Sequence, residues 1–327
     1  MVTIIDVAKA AGVSKSTVSR VLDERLPRSR NATAERVRRV AAELGYVRDP
    51  MAAAMRRAGT GTIGVVVPRL TDTVMAMLYE EISAAGAARG LFAVVATTND
   101  QPAHERLAVA SLLRRRVDGL VLTTARTGTA ADPSDAVPQV LALRSDGVRP
   151  AALGDDHLGA HLAVRPLVDL GHRRIGLVGG PAYASSARGR QAGYAQALAE
   201  AGIPADPSLV TGDAFSMEAG EIAGRALLDR VDRPTAIFAV NDNTAIGVMA
   251  AAHALGLRIP EDLSLVGYND IPVVSRLPVP LTTVRVPFGA IAVNALDLLQ
   301  EALTGAAPRT IVAAPTLIPR RSTVRSA

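Results

Sequence analysis

The chain has no cysteine. That removes disulfides, thiolate metal sites, iron–sulfur clusters and cysteine nucleophiles from consideration, and it fits a reducing compartment. No apolar run approaches the ~18–20 residues that cross a bilayer. Asp6 and Lys9 stand where a secretory signal would need an unbroken apolar core, so a soluble cytoplasmic protein with no membrane partner is expected. Catalytic signatures are missing too, with neither G-x-S-x-G nor G-x-x-x-x-G-K-[ST] present. Gly176-Leu177-Val178-Gly179-Gly180 lacks the lysine of a phosphate loop and reads as a tight strand–helix turn. His157 and His161 are four apart, but no carboxylate completes an H-E-x-x-H pattern, so an ordinary pair near a helix start is expected and no metal. Neither an enzyme nor a cofactor is expected.

What is present is ordinary in bulk and uneven in distribution. The 327 residues predict two or three domains, and 49% hydrophobic against 20% charged residues is globular usage. Residues 1–60 hold 12 Lys and Arg against 6 Asp and Glu, a net +6, and the remainder is −1. A basic head on a near-neutral body suits a polyanion, because phosphate contacts supply most non-specific DNA affinity. Solvated helix faces would show the same charge.

Within the head, Ile4, Val7, Ala8 and Ala11 follow i, i+3, i+4, i+7 spacing and predict a helix ended by Gly12. Ser14 is a good N-cap for a second helix carrying Val18, Val21 and Leu22 on one face. Ser16 and Arg20 lie opposite that stripe, flanked by Lys15 and Ser19, so short hydroxyls and long cations face outward together as a major groove requires. Val37, Val40, Ala41 and Leu44 predict a third helix capped by Asn31 and ended by Gly45, with Arg36, Arg38 and Arg39 outside. The whole reads as a helix-turn-helix in a small bundle.

The run Thr3-Ile4-Ile5-Asp6-Val7-Ala8-Lys9-Ala10-Ala11-Gly12-Val13-Ser14-Lys15-Ser16-Thr17-Val18-Ser19-Arg20-Val21-Leu22 resembles the DNA-binding head of the lactose repressor/galactose repressor (LacI/GalR) family. The resemblance implies that Lys15, Ser16 and Arg20 read bases and that Thr17 and Ser19 hold phosphates. Thr3, Ser14, Asn31, Tyr46, Ala52 and Met55 complete the DNA-binding set it implies. Asp23 stands where Asn is usual in the family, and the loop to Thr33 is one residue longer than in the lactose repressor.

Residues 47–60 form the connector. Asp49 caps and Pro50 fits a first helical position, while Ala58-Gly59 is a stop. About eight residues are too few for a helix stable alone, so order is expected only when something holds it. In the resembling family this segment is a hinge helix paired with its dimer mate in the minor groove, and Met55 takes the position of the wedging side chain. A flexible linker is the alternative.

From Thr62 onward short Val/Ile/Leu runs alternate with Ala-rich helical stretches, which indicates parallel sheets covered on both faces. Strands are expected at 63–67, 92–96, 119–123, 151–154, 175–179, 209–212, 236–240 and 264–267. A final segment, Pro280–Val284, helix 288–304 and strand 311–318, completes both sheets by crossing over. Thr60–Pro68 and His172–Gly180 open two series in similar style, as an internal duplication would. Ligands of such sheets sit beyond the carboxyl ends of the strands, where nearly every loop here carries Asn, Asp or Arg suited to hydroxyl-rich solutes. Each Asn or Asp could equally cap the following helix.

The body also resembles the family, in its periplasmic-binding-protein-like effector domain. Leu170–Ile175, Ala187–Tyr194, Val240-Asn241-Asp242, Val266–Asp270 and Pro280–Val284 match family blocks. The fold class so implied is an N-terminal all-α helix-turn-helix domain (1–46), a hinge (47–60) and an α/β effector-binding and dimerisation domain (61–327) of two doubly wound parallel-sheet subdomains. Arg190, Asn241 and Asn269 would touch the effector, with Phe215 stacking, and Asp72, Thr124 and Asp155 complete the expected set. Asn269 stands where Asp is usual, and Leu143-Arg144 where an Asp-Arg pair is frequent. The function implied is a homodimeric repressor of a pseudo-palindromic double-stranded DNA operator, modulated by a small-molecule effector, a sugar. A free sugar-binding transport protein would need an export signal and has no use for the basic head.

Overall fold

The computed structural model describes residues 4–22, 29, 31–44, 59–127 and 137–326. Packing divides the chain into two units, Met1–Thr60 and Gly61–Ala327. Thr3, Tyr46, Ala52 and Met55, and with them nearly all of the expected hinge, lie outside the described residues.

In the first unit α1 (Ile4–Ala11), α2 (Lys15–Val21) and α3 (Ala32–Glu43) enclose a core of Val7, Ala8, Ala11, Val18, Val37 and Ala41. Gly12 ends α1 with a φ of 63°, a left-handed turn that a side chain would resist. Ser14 caps α2 by accepting from the Thr17 N–H at 3.1 Å, and Asn31 caps α3 by accepting from Ala34 N–H at 2.8 Å. Leu44, expected on the buried stripe of α3, is instead its C-cap residue and is exposed, because the helix stops one residue short of it.

The second unit holds two six-stranded sheets. The first lobe is built from β1 (Thr62–Val67), α4 (Thr73–Ala87), β2 (Phe92–Thr97), α5 (Pro102–Arg114), β3 (Gly119–Leu122), β4 (Gln139–Ala142) and β5 (Ala151–Gly154). The second takes α6 (Asp156–Asp169), β6 (Ile175–Val178), α7 (Ser185–Glu200), β7 (Val210–Thr211), α8 (Met217–Leu228), β8 (Ala236–Ala239), α9 (Asp242–Ala254), β9 (Ser264–Asn269) and β10 (Thr282–Arg285). Then α10 (Phe288–Leu303) and β11 (Thr310–Ala313) return to the first lobe, and β12 (Thr316–Ile318) to the second.

The strand orders are β2-β1-β3-β4-β5-β11 and β7-β6-β8-β9-β10-β12, the same winding twice, with every pairing parallel except β10 with β12. Each order reverses beside its first strand, β1 or β6, so both switch points open toward strand ends that carry polar loops. The chain passes between lobes three times, after β5, after β10 and after β11. These passages touch: Asp155 N–H donates to Ala313 O at 3.0 Å, and a Cβ at Gly154 would lie 3.6 Å from Val286.

Two differences from the sequence reading concern strands. β4 was not among the expected strands, because it joins β5 through residues 143–150 without the helix that usually links parallel neighbours. The single strand expected over 311–318 is two, broken at Pro315 and shared between the sheets. A G-x-G-x-x-G spacing does occur, at Gly59, Gly61 and Gly64, but it leads into β1 instead of following a strand, so it is no dinucleotide turn.

Helix pairs in the second lobe approach at glycine. A Cβ on Gly193 of α7 would fall 2.1 Å from His157 O of α6, and one on Gly247 of α9 2.0 Å from Met217 O of α8. Among the described residues no helix is long and apolar enough to cross a membrane.

Candidate functional site

On the head, capping and packing decide which side chains of α2 remain available. Val18 is fully buried, which turns Lys15, Ser16 and Arg20 to the exposed face and leaves Thr17 and Ser19 half-buried at its edges. The Ser14 hydroxyl lies 2.8 Å from both the Ser16 and the Thr17 hydroxyls, a cluster of small donors and acceptors at the start of the helix. Arg36 and Arg39 are exposed on α3, whereas Arg38 turns back to donate to Ser29 O at 2.8 Å and is not free to reach outward.

In the second unit a cavity of about 640 Å³ opens between the lobes at the carboxyl ends of the strands. Asp72, Arg190, Phe215, Asn241 and Asn269 line it, as do Arg69, Asn99, Asp100, Leu143, Arg144, Tyr183, Ser186, Glu218 and Asn243. Thr124 and Asp155 lie off its wall. Thr124 is buried with its hydroxyl unpartnered, and Asp155 caps α6 by accepting from Leu158 N–H at 2.9 Å.

Several wall residues are held by specific contacts. Arg190, on α7, donates to Asp156 Oδ1 at 2.8 Å and to Val240 O at 2.7 Å, and its guanidinium lies 3.8 Å over the Tyr268 ring. Burial opposes the Arg190 charge, but the Asp156 carboxylate outweighs it and raises the pKa, so the guanidinium stays charged. The Asn241 amide is largely occupied: Oδ1 caps α9 through Thr244 N–H at 2.8 Å and Nδ2 donates to Phe215 O at 3.0 Å. It therefore positions Phe215 and has one proton and one lone pair left for a ligand.

Polar contacts join the lobes around the cavity. Asn243 Nδ2 donates to Asp72 Oδ1 at 3.2 Å, and the Tyr183 hydroxyl donates to Asp100 Oδ2 at 2.8 Å. Thr127 donates to Tyr183 O through both its N–H and its hydroxyl, each at 3.0 Å, and Arg126 covers the Tyr183 ring at 3.7 Å. Burial pushes the Asp72 carboxyl up, against the pull of Val74 N–H and Asn243. Burial also raises the Tyr183 hydroxyl, which keeps it a donor to Asp100.

Backbone strain collects here. Of six non-glycine residues with positive φ among the described residues, Asn99, Asp100, Leu143 and Asn269 line the cavity, and Asp270 adjoins it. Left-handed conformations at such residues cost about 1–3 kcal/mol each and persist where surrounding structure imposes them, commonly at ligand sites. Asn243 had the weakest signal in sequence, since it reads as the second residue of a helix. Asn99, Asp100 and Tyr183 fall on strand-end loops that topology marks as ligand-facing, and Ser186 lies in the first turn of α7 just beyond one. Among the described residues no group of three or more His, Asp or Glu could hold a metal, and His161 is paired with Glu200 at 2.7 Å.

Comparison with known proteins matches residues 3–49 to the model "Bacterial regulatory proteins, lacI family" and residues 164–323 to "Periplasmic binding protein-like domain". The ribose operon repressor of Haemophilus influenzae is 32% identical over 332 residues, covering 98% of each chain. The crystal structure of the lac repressor dimer bound to operator and the anti-inducer ONPF superposes with a TM-score of 0.86 at 30% identity, covering 99% of each chain. A complex of the transcriptional regulator CelR with cellobiose gives 0.74 at 31% identity, covering 98% of this chain and 100% of that one.

Proposed function

Because the chain belongs to the lacI family of bacterial regulatory proteins, and so is a DNA-binding transcriptional regulator and not an enzyme, we propose that it is a cytoplasmic repressor. It binds a pseudo-palindromic operator as a homodimer and changes its grip when a sugar enters the cleft. The observation that carries this reading is one chain holding both an exposed Lys15–Ser16–Arg20 face on a capped helix and a cleft of about 640 Å³, with Asp, Arg and Asn side chains in its wall, at two sheet switch points. Support comes from relatives whose names state a repressor of a ribose operon, an operator-bound dimer and a cellobiose complex.

In mechanism, Lys15, Ser16 and Arg20 read base edges while Ser14, Thr17, Ser19 and Asn31 hold the backbone in register. In the cleft Asp72, Arg190, Phe215, Asn241 and Asn269 engage the effector. An effector that binds two arrangements of the lobes unequally shifts operator affinity by the coupling energy, typically ~1–3 kcal/mol or 5–150-fold. Residues 47–60 carry that difference to the head.

The test selects an operator from random DNA with the full chain, then titrates the complex against a sugar panel. A two-fold symmetric site whose affinity changes with one sugar is expected. Selection of no site, or a head-deleted chain that binds the selected site as well, would refute the reading.

A further inference from the structure

The cavity wall is charged but balanced. Arg69, Arg144 and Arg190 line it together with Asp72, Asp100 and Glu218. The two buried arginines are committed to acids. Arg144 meets both Asp100 oxygens at 3.1 Å, and Arg190 meets Asp156 at 2.8 Å. Arg69 is exposed at the mouth, where its nearest charged groups include Asp72 and Glu218. Apart from Asp72, whose second carboxyl oxygen has no partner among the described residues, side chains with unused capacity deep in the wall are neutral. Ser186 is 5% exposed and Asn269 4% exposed, and neither side chain has a partner among the described residues. A serine hydroxyl and an amide each donate and accept, which is what a sugar hydroxyl does in return.

From this balance we propose that the cleft takes uncharged polyhydroxylated solutes and excludes their phosphate esters and uronic acids, with Asp100 as the residue that sets this specificity by neutralising Arg144. An anion reaching past Arg69 into the depth of the cleft would have to compete with Asp100 for Arg144 or with Asp156 for Arg190, and would sit against the displaced carboxylate. A neutral polyol needs no such exchange, since Ser186 and Asn269 already point hydrogen-bonding groups at it. Asp100 is held for this task from several sides. Its backbone has a φ of 57°, its carboxylate also accepts from the Tyr183 hydroxyl at 2.8 Å, and Arg126 approaches to 3.6 Å.

The inference rests on the sugar reading above, and its test separates the two. Full-length protein is titrated calorimetrically with neutral pentoses, hexoses and disaccharides, each beside its phosphate ester and, where one exists, its uronic acid. The neutral parent is expected to bind at least tenfold more tightly than either charged form. Asp100→Asn keeps an acceptor for Tyr183 but frees the Arg144 charge, and should raise phosphate-ester affinity relative to the neutral parent about tenfold. Ser186→Ala should weaken the neutral ligand about fivefold without changing that ratio. A phosphate ester or uronate that binds wild-type protein as tightly as its parent overturns this inference and leaves the sugar reading standing. An unchanged ratio in Asp100→Asn overturns the role of Asp100. No binding by any sugar, charged or not, overturns both.

Discussion

Asp242 offers a measurable pH signature. It is the first residue of α9, immediately after the cap Asn241, and is completely buried. One carboxyl oxygen accepts from the Thr283 hydroxyl at 2.6 Å and the other from Ile271 N–H at 2.8 Å, and no cation pairs with it among the described residues. Burial, aided by the negative Asp270 nearby, pushes its pKa from the ordinary 3.8 up to about 7. The folded state therefore holds a proton that the unfolded chain releases. That favours folding fully only below the unfolded value, and the advantage is lost as pH rises through about 7. At 1.36 kcal/mol per pH unit the full loss is about 4 kcal/mol, of which about 2.5 kcal/mol falls between pH 5 and pH 8. Asp242→Asn can still accept from Ile271 N–H and donate to the Thr283 oxygen, but it does not titrate. Urea unfolding of both proteins from pH 5 to 8 should show the variant gaining on wild type by about that amount as pH rises. A difference constant across the range would refute the buried-proton reasoning, because titrations not coupled to Asp242 cancel in the comparison.

Arg20→Ala should weaken the selected operator tenfold to a hundredfold, about 1–3 kcal/mol, and leave binding to random DNA far less affected; equal losses on both, read by gel shift, would remove Arg20 from base reading. Gly193→Ala forces α6 and α7 apart at His157 O and should cost about 3 kcal/mol, seen as a lowered melting temperature of the Gly61–Ala327 unit. His172 is buried between Thr235 at 2.9 Å and Ser264 and Val324 O at 3.0 Å, so His172→Ala should speed amide exchange of residues 322–326 before the rest of the second lobe. Unaltered exchange there would show that the tail is held by Ser322 and Ser264 without it.

Much of this architecture is legible before any coordinates. Val7, Val18 and Val37 announce the head core by spacing, and Ser14 and Asn31 announce its caps by chemistry, because both signals are local. Short unbroken apolar runs followed by helical stretches do the same for β1, β6 and β8. What local pattern does not carry is pairing. β4 lacks the following helix that would mark it, and the division of 310–318 between two sheets depends on which edges await a strand. The cavity follows the same division. Strand-end position marks Asp72 and Asn269, but a chain read in one dimension does not reveal that the Asn241 amide is already engaged by Thr244 and Phe215. Nor does it show that Asp155 serves α6 at a passage between lobes, or that Asp100 and Tyr183, 83 residues apart, meet across the cleft.

The triple passage of the backbone bears on how the molecule is made. Thr62 to Gly154 supplies only five of the first sheet's six strands, and the sixth, with its covering helix, arrives in residues 288–313. On the ribosome that early portion must wait with one flank bare until almost the entire polypeptide has emerged, while five of the other lobe's six strands can assemble in the interval, its own edge strand β12 arriving last of all. A single proteolytic nick at one crossing would leave the halves still threaded together by the other two.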